Sequence, residues 1–166
     1  MGVWMTIKVA INGMGRIGRS TLAAIIESGR SDIEVVSINA PAPIETLVHL
    51  MKYDSVHGRF PGDIKIIGSN IDVGRGQIDM QSTYNPAELN WEGIDVLLEC
   101  TGVHNSKEAS IIHLENGAKK VLLSAPGKNV DKTVVYGVNH KELRSDDLIV
   151  SNASCTTNCL APIAKI

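Results

Sequence analysis

Two hydrophobic periods alternate along this chain. Residues 6–12 (TIKVAIN) form a β-branched run that leads straight into glycines, and Ile33–Asn39 (IEVVSIN) has the same character, so both are predicted strands. Between them, residues 16–29 have helical spacing, with Ile17, Leu22, Ile25 and Ile26 able to share one broad face and Gly29 placed to end the helix. Residues 44–53 (IETLVHLMKY) read as a second helix. From 54 to 90 the character changes. There KIIG, NIDV and GQIDMQS are short strand candidates between glycine turns, which predicts a small antiparallel excursion near residues 64–83. Alternation then resumes. Residues 94–102 (IDVLLECTG) form a nearly unbroken apolar strand of the kind covered on both faces. A helix follows over 105–116, then strands in KKVLLSAP, TVVYGVN and DDLIVSN, and a last helix in NASCTTNCLAPIAKI. Strands joined by crossover helices predict an α/β fold with a doubly wound, mainly parallel sheet.

The bulk numbers narrow the partners. With 166 residues the chain suits one domain with the edge of a second. A net charge of −2 offers no attraction to nucleic acid or an anionic membrane, and 4% aromatics leaves few rings for base stacking. There is no apolar run long enough to span a bilayer, and the first residues lack the basic and apolar regions of a signal peptide. Residues 1–5 (MGVWM) read as an N-terminal extension. Three cysteines, two of them four apart, match no secreted disulfide framework, so the expected home is a reducing cytoplasm.

Gly13, Gly15 and Gly18 form G-x-G-x-x-G in INGMGRIGR, after a predicted strand and at the opening of a predicted helix. That context is what a dinucleotide site needs. Gly13 permits the tight turn, Gly15 lets the backbone approach a pyrophosphate, and Gly18 lets the helix pack close to the strand. Arg16 and Ile17 present free N–H groups at the helix start, and Arg16 adds a cation. The acidic residue expected about 20 positions on is missing, because the second strand ends in Asn39 and Ala40. NAD is the expected cofactor, with NADP left open by that absence.

At the other end of the chain, Asn152 or Ser154 can cap the last helix, which puts Cys155 in its first turn. Helix-end N–H groups favour thiolate there, a good nucleophile toward a carbonyl. Cys159, one turn deeper, is expected to be a small buried hydrophobe. No metal site is expected: two cysteines give two ligands, and neither Cys100 nor a histidine adds convincing zinc spacing. His49, His57, His104, His113 and His140 are scattered singly, with surface or packing roles as the default.

INGMGRIGR, YDSVHGRF, ECTG, LLSAPGK, YGVNH and above all SNASCTTNCLAPIAKI together resemble the glyceraldehyde-3-phosphate dehydrogenase family, in order and over essentially all of residues 6–166. The resemblance implies a Rossmann-type dinucleotide-binding domain over 6–151, with 152–166 as the start of a catalytic domain. It also accounts for Pro162 inside a predicted helix. The implied reaction is the phosphorylating oxidation of glyceraldehyde 3-phosphate to 1,3-bisphosphoglycerate, with Cys155 as nucleophile and inorganic phosphate as acyl acceptor. Carried over by motif, Gly13, Gly15, Arg16, Ile17, Gly18, Asn39, Thr101, Gly102 and Ser124 belong to the cofactor site. Ser154 and Thr156 flank the nucleophile on the substrate side.

This sequence departs from the family pattern in three places. Ala40 stands where NAD-using members usually have aspartate, Tyr84 where many have arginine beside the adenine, and Cys100 where serine is common. The family's second domain carries the histidine base, most phosphate-binding residues and the main contacts of a homotetramer. This chain by itself is therefore expected to bind cofactor without turnover. The alternatives are the sister activity on erythrose 4-phosphate and a non-catalytic nucleotide-binding module.

Overall fold

The computed structural model describes residues 6–60 and 62–166, so the N-terminal extension lies outside the described residues. Strand β1 (Ile7–Asn12), helix α1 (Arg16–Glu27), strand β2 (Ile33–Asn39) and helix α2 (Ile44–Lys52) follow the predicted order. Gly29 takes φ +66° just past α1, the left-handed conformation that ends a helix without a Cβ clash. A two-stranded antiparallel ribbon comes next, β3 (Tyr53–Asp54) with β4 (Gly58–Arg59). The expected antiparallel excursion consists of β5 (Lys65–Ile67), β6 (Asn70–Asp72) and β7 (Gln77–Gln81). Strand β8 (Val96–Glu99), helix α3 (Lys107–Glu115) and strand β9 (Lys120–Leu123) form the next crossover unit. The short strands β10 (Lys132–Thr133) and β11 (Ile149–Ser151) lead to helix α4 (Cys155–Lys165).

One nine-stranded sheet has the order β10-β11-β9-β8-β1-β2-β7-β6-β5. All pairs from β10 to β7 are parallel, and only the last two are antiparallel. From β1 the chain steps to β2 on one side and later returns to β8 on the other. That reversal opens a crevice at the carboxyl ends of β1 and β8. Burial follows the two-residue strand period: Val9 and Ile11 join a core with Leu22, Ile38, Leu47 and Met51, while Ala10 joins the opposite core with Trp91, Leu97, Val121 and Ile149.

Three expectations fail. Ile17 is 52% exposed, so the buried stripe of α1 rests on Leu22, with Ile25 and Ile26 partly covered. The strand expected in TVVYGVN (133–139) is confined to Lys132–Thr133. Beyond it, Gly137 takes φ +82°, and Asn139 bonds back to the Val135 N–H and the Thr133 carbonyl, which folds the segment into turns. Cys159 is exposed rather than buried, because α4 buries none of its residues.

Candidate functional site

The glycine turn is shaped by close contacts. Gly13 has φ +94°, and a Cβ on it would lie 2.8 Å from Thr101 Cγ2 and 2.9 Å from the Thr101 N–H nitrogen. A Cβ on Gly18 would come within 2.0 Å of the Gly13 carbonyl oxygen. A Cβ on Gly15 would meet nothing within 4 Å. Two glycines therefore permit internal packing, and the third leaves space beside the backbone. Gly15 is also the N-cap of α1, with no side chain bonded to the first-turn N–H groups and no acid in that turn. Those groups are free for an anion.

In front of the turn lies a cleft of about 480 Å³, lined among others by Asn12, Gly13, Gly15, Asn39, Ala40, Tyr84, Cys100 and Thr101. The volume suits an organic ligand. Of the candidate cofactor residues, Gly13, Gly15, Asn39 and Thr101 line it directly. Gly18 is buried behind it, and Arg16, Ile17, Gly102 and Ser124 stand outside the lining. The Arg16 guanidinium lies 3.9 Å from the Asp54 carboxylate, so its charge is shared with that residue. Asp54 itself is held down to about 2, first by the backbone N–H groups of His57 and Val56. Tyr84, 88% exposed, forms an aromatic rim. Ala40 is buried and offers only a methyl group. Burial raises the Cys100 thiol to about 11, against a lowering bond from Ser124.

Beneath the cleft is a polar group that sequence reasoning missed. Glu99 is 1% exposed. One of its oxygens accepts from the Asn12 side-chain amide at 2.6 Å, and the other accepts from the Thr101 backbone N–H at 2.8 Å and from the Thr101 hydroxyl. His113 Nε2 lies 3.1 Å from Glu99, close enough for attraction but not aligned as a hydrogen bond. His113 Nδ1 accepts from the Trp91 indole N–H at 3.2 Å. Desolvation pushes the Glu99 carboxyl up, yet the groups from His113, Thr101 and Asn12 outweigh it and hold the residue below its ordinary value. The signal was available: a glutamate in an apolar strand covered on both faces needs partners.

Cys155 sits in a different setting. The chain leaves β11 through Ala153, whose φ of +57° is unusual for a residue with a Cβ. The buried Ser151 hydroxyl accepts from the Ala153 N–H at 3.0 Å and holds that turn. Ser154, not Asn152, is the cap: its hydroxyl accepts from the Thr157 N–H at 2.9 Å. The Ser154 and Thr156 hydroxyls lie 2.9 Å apart, directly beside Cys155. Cys155 is exposed. The histidines have partners elsewhere: His49 packs on Tyr53, His57 on Asp54, His104 on His113, and His140 on Tyr136.

A glycine turn that opens onto a crevice at the switch point of a parallel sheet defines a nucleotide-binding α/β domain. The model of the glyceraldehyde 3-phosphate dehydrogenase NAD-binding domain matches residues 7–107, and the chain belongs to that family. It is 60% identical over 164 residues to the glyceraldehyde-3-phosphate dehydrogenase of Xanthobacter flavus and 60% identical over 162 residues to that of Cereibacter sphaeroides. To the Pseudomonas aeruginosa protein of the same name it is 51% identical over 165 residues. Each comparison covers 98% of this chain and 49% of the relative, so the chain spans about half the length of the curated relatives it matches. An NAD(P) cofactor follows for this domain.

Proposed function

We propose that the protein oxidises glyceraldehyde 3-phosphate to 1,3-bisphosphoglycerate with phosphate uptake, as a cytoplasmic homotetramer serving glycolysis or gluconeogenesis. The observation that carries this reading is one row of the sheet. Asn39, Asn12, Glu99, Leu123 and Ser151 pair in register across β2, β1, β8, β9 and β11. Strand spacing then puts the glycine turn and the turn into Cys155 about 14 Å apart, on the same carboxyl edge. No helix among the described residues is long and apolar enough to cross a membrane.

The open space at Gly15 and the uncapped first turn of α1 fit a diphosphate, with Gly13, Asn39, Ala40, Tyr84 and Thr101 around the rest of the dinucleotide. Bound there, it supplies the hydride acceptor. Cys155 adds its sulfur to the aldehyde carbon, and the carbonyl oxygen takes the negative charge beside the Cys155 N–H. Loss of hydride leaves an acyl thioester on Cys155. Attack by phosphate oxygen breaks the carbon–sulfur bond, releasing the acyl phosphate and restoring the thiolate. Ser154 and Thr156 offer hydroxyls for the incoming phosphate groups. NAD is the proposed acceptor, and Ala40, which offers no carboxylate against a 2′-phosphate, leaves room for NADP.

Residues 6–151 act as the cofactor-binding unit, with 152–166 opening the catalytic part. With its histidines occupied elsewhere, this chain alone binds dinucleotide but does not turn over. Calorimetric titration with NAD and then NADP at one salt concentration tests the site. Binding of at least one is expected, and binding of neither overturns the reading. Dehydrogenase turnover by the 166-residue chain alone would overturn its inactivity. Preference of the full protein for erythrose 4-phosphate would reassign the substrate, and absence of turnover there would leave a nucleotide-binding module.

A further inference from the structure

Resting on the dinucleotide reading above, we propose that Glu99 is a positioning residue for the cofactor. Its carboxylate sets the direction of a hydrogen-bonded relay that holds the floor of the cleft in its binding form.

The relay is continuous. Glu99 accepts from Asn12 Nδ2 at 2.6 Å, Asn12 Oδ1 accepts from Asn39 Nδ2 at 2.8 Å, and Asn39 Oδ1 accepts from the Thr83 N–H at 3.1 Å. Asn39 Nδ2 also donates to the Thr83 carbonyl at 3.0 Å. On the other side, Glu99 accepts from the Thr101 N–H at 2.8 Å. Asn12, Asn39, Thr83 and Thr101 all line the cleft, and a Cβ on Gly13 would abut Thr101, so Thr101 also forms one wall of the glycine turn.

Both ends of this relay are backbone N–H groups, which can only donate. The two asparagines between them are amides that fit either way round in shape but not in polarity. Only a residue that accepts on both oxygens closes the chain without opposing two donors. A carboxylate does so, and a glutamine does not. With glutamine at 99, its NH₂ faces either Asn12 Nδ2 or the Thr101 N–H. Turning Asn12 over moves the conflict to Asn39, and turning Asn39 moves it to the fixed Thr83 N–H. Asn12, Asn39 and Glu99 are all nearly fully buried, so water does not relieve the conflict cheaply. His113 Nε2 lies 3.1 Å from the same Glu99 oxygen that accepts from Asn12, with Trp91 bonded to the other ring nitrogen, and neither residue lines the cleft.

The test is NAD affinity by calorimetry in the full chain, for wild type, Glu99→Gln, Trp91→Phe and the double variant Glu99→Gln with Asn12→Asp. The double variant moves the carboxylate one residue along the relay and restores the polarity of each bond from the Thr101 N–H to the Thr83 N–H. Glu99→Gln is expected to weaken NAD binding about tenfold or more, because a buried donor is left without a partner. Trp91→Phe removes the indole bond to His113 and lowers the melting temperature, with affinity held within about twofold of wild type. The double variant recovers most of the lost affinity. A folded Glu99→Gln that binds as wild type does, or a Trp91→Phe that loses as much, overturns the proposal. If Glu99→Gln does not fold, a double variant that folds and binds supports the relay, and one that folds without binding overturns it, as does one that fails to fold. Wild type that binds no dinucleotide overturns the functional reading itself, a result separate from unchanged affinity in Glu99→Gln.

Discussion

The glycine turn and the cysteine turn both lead from the carboxyl end of a parallel strand into a helix, yet the molecule finishes the two helix ends in opposite ways. The glycine turn is fixed from outside its own segment. Thr101 walls Gly13, the Asn39 carbonyl accepts from the Gly13 N–H at 2.9 Å, and the helix end carries no side-chain cap. The cysteine turn has a matching outside bond, from the Asn152 N–H to the Leu123 carbonyl at 3.0 Å, but its helix end is closed from within. Ser151 bonds Ala153, Ser154 caps α4, and the helix beyond buries none of its residues. Long-range packing leaves the first helix end free for a ligand, while a local cap aims the side chain at the second. The first arrangement suits the proposed diphosphate site, and the second suits the proposed nucleophile.

Five substitutions, one thiol labelling and one pH titration sharpen this contrast. The largest effect belongs to Cys155→Ser in the full protein, which should lower turnover by at least roughly 10³-fold while NAD affinity and melting temperature stay put. Any fall in NAD affinity would mean that the two turns are not independent. Thiol labelling of the native chain complements it: exposed Cys155 and Cys159 should react, and Cys100, raised to about 11 by burial, should react only after unfolding.

Next come the glycines. Gly18→Ala forces a methyl into the Gly13 carbonyl and should destabilise the fold by about 3 kcal/mol, visible in chemical denaturation. Gly15→Ala, with open space beside it, should leave the denaturation midpoint almost unchanged and still weaken NAD binding. Equal destabilisation by both would remove the distinction between packing and binding glycines.

Acid should act on the cofactor side as well. Glu99 is held below its ordinary value near 4.5, and Asp54 is held down to about 2. On lowering pH the unfolded chain therefore takes up protons first. The stabilisation is complete above about pH 5 and is lost progressively as pH falls toward 2. Glu99→Gln should flatten part of that decline, as read from melting temperature against pH. The smallest effect is Ser154→Ala. Losing the cap should weaken α4 by about 1 kcal/mol, seen as faster amide exchange in α4 and not in α1.

Much of this was legible in the sequence. The strand–glycine–helix unit at 6–29 emerged because a β-branched run, a G-x-G-x-x-G spacing and a helical period all agree there. The antiparallel excursion emerged for the same reason, since its strands are separated by glycine turns. TVVYGVN misled because a β-branched pair precedes Gly137 and Asn139, whose backbone conformation and side-chain bonds outweigh strand propensity. Cys159 misled because helical position alone does not say whether anything packs against a face.

What the sequence determined by itself was local: which segments extend, which coil, and where glycine admits the chain to a tight turn. These depend on residues a few positions apart. The tertiary structure decided which of those pieces meet. Glu99, Asn12, Asn39, Thr83 and Thr101 lie up to 89 positions apart in sequence, as their numbers show, and they form one polar floor only because β1, β2 and β8 pair in parallel register and the chain after β7 returns to Asn39. A buried charge is stable only beside its partners, and no local pattern names partners that the sheet has yet to bring together.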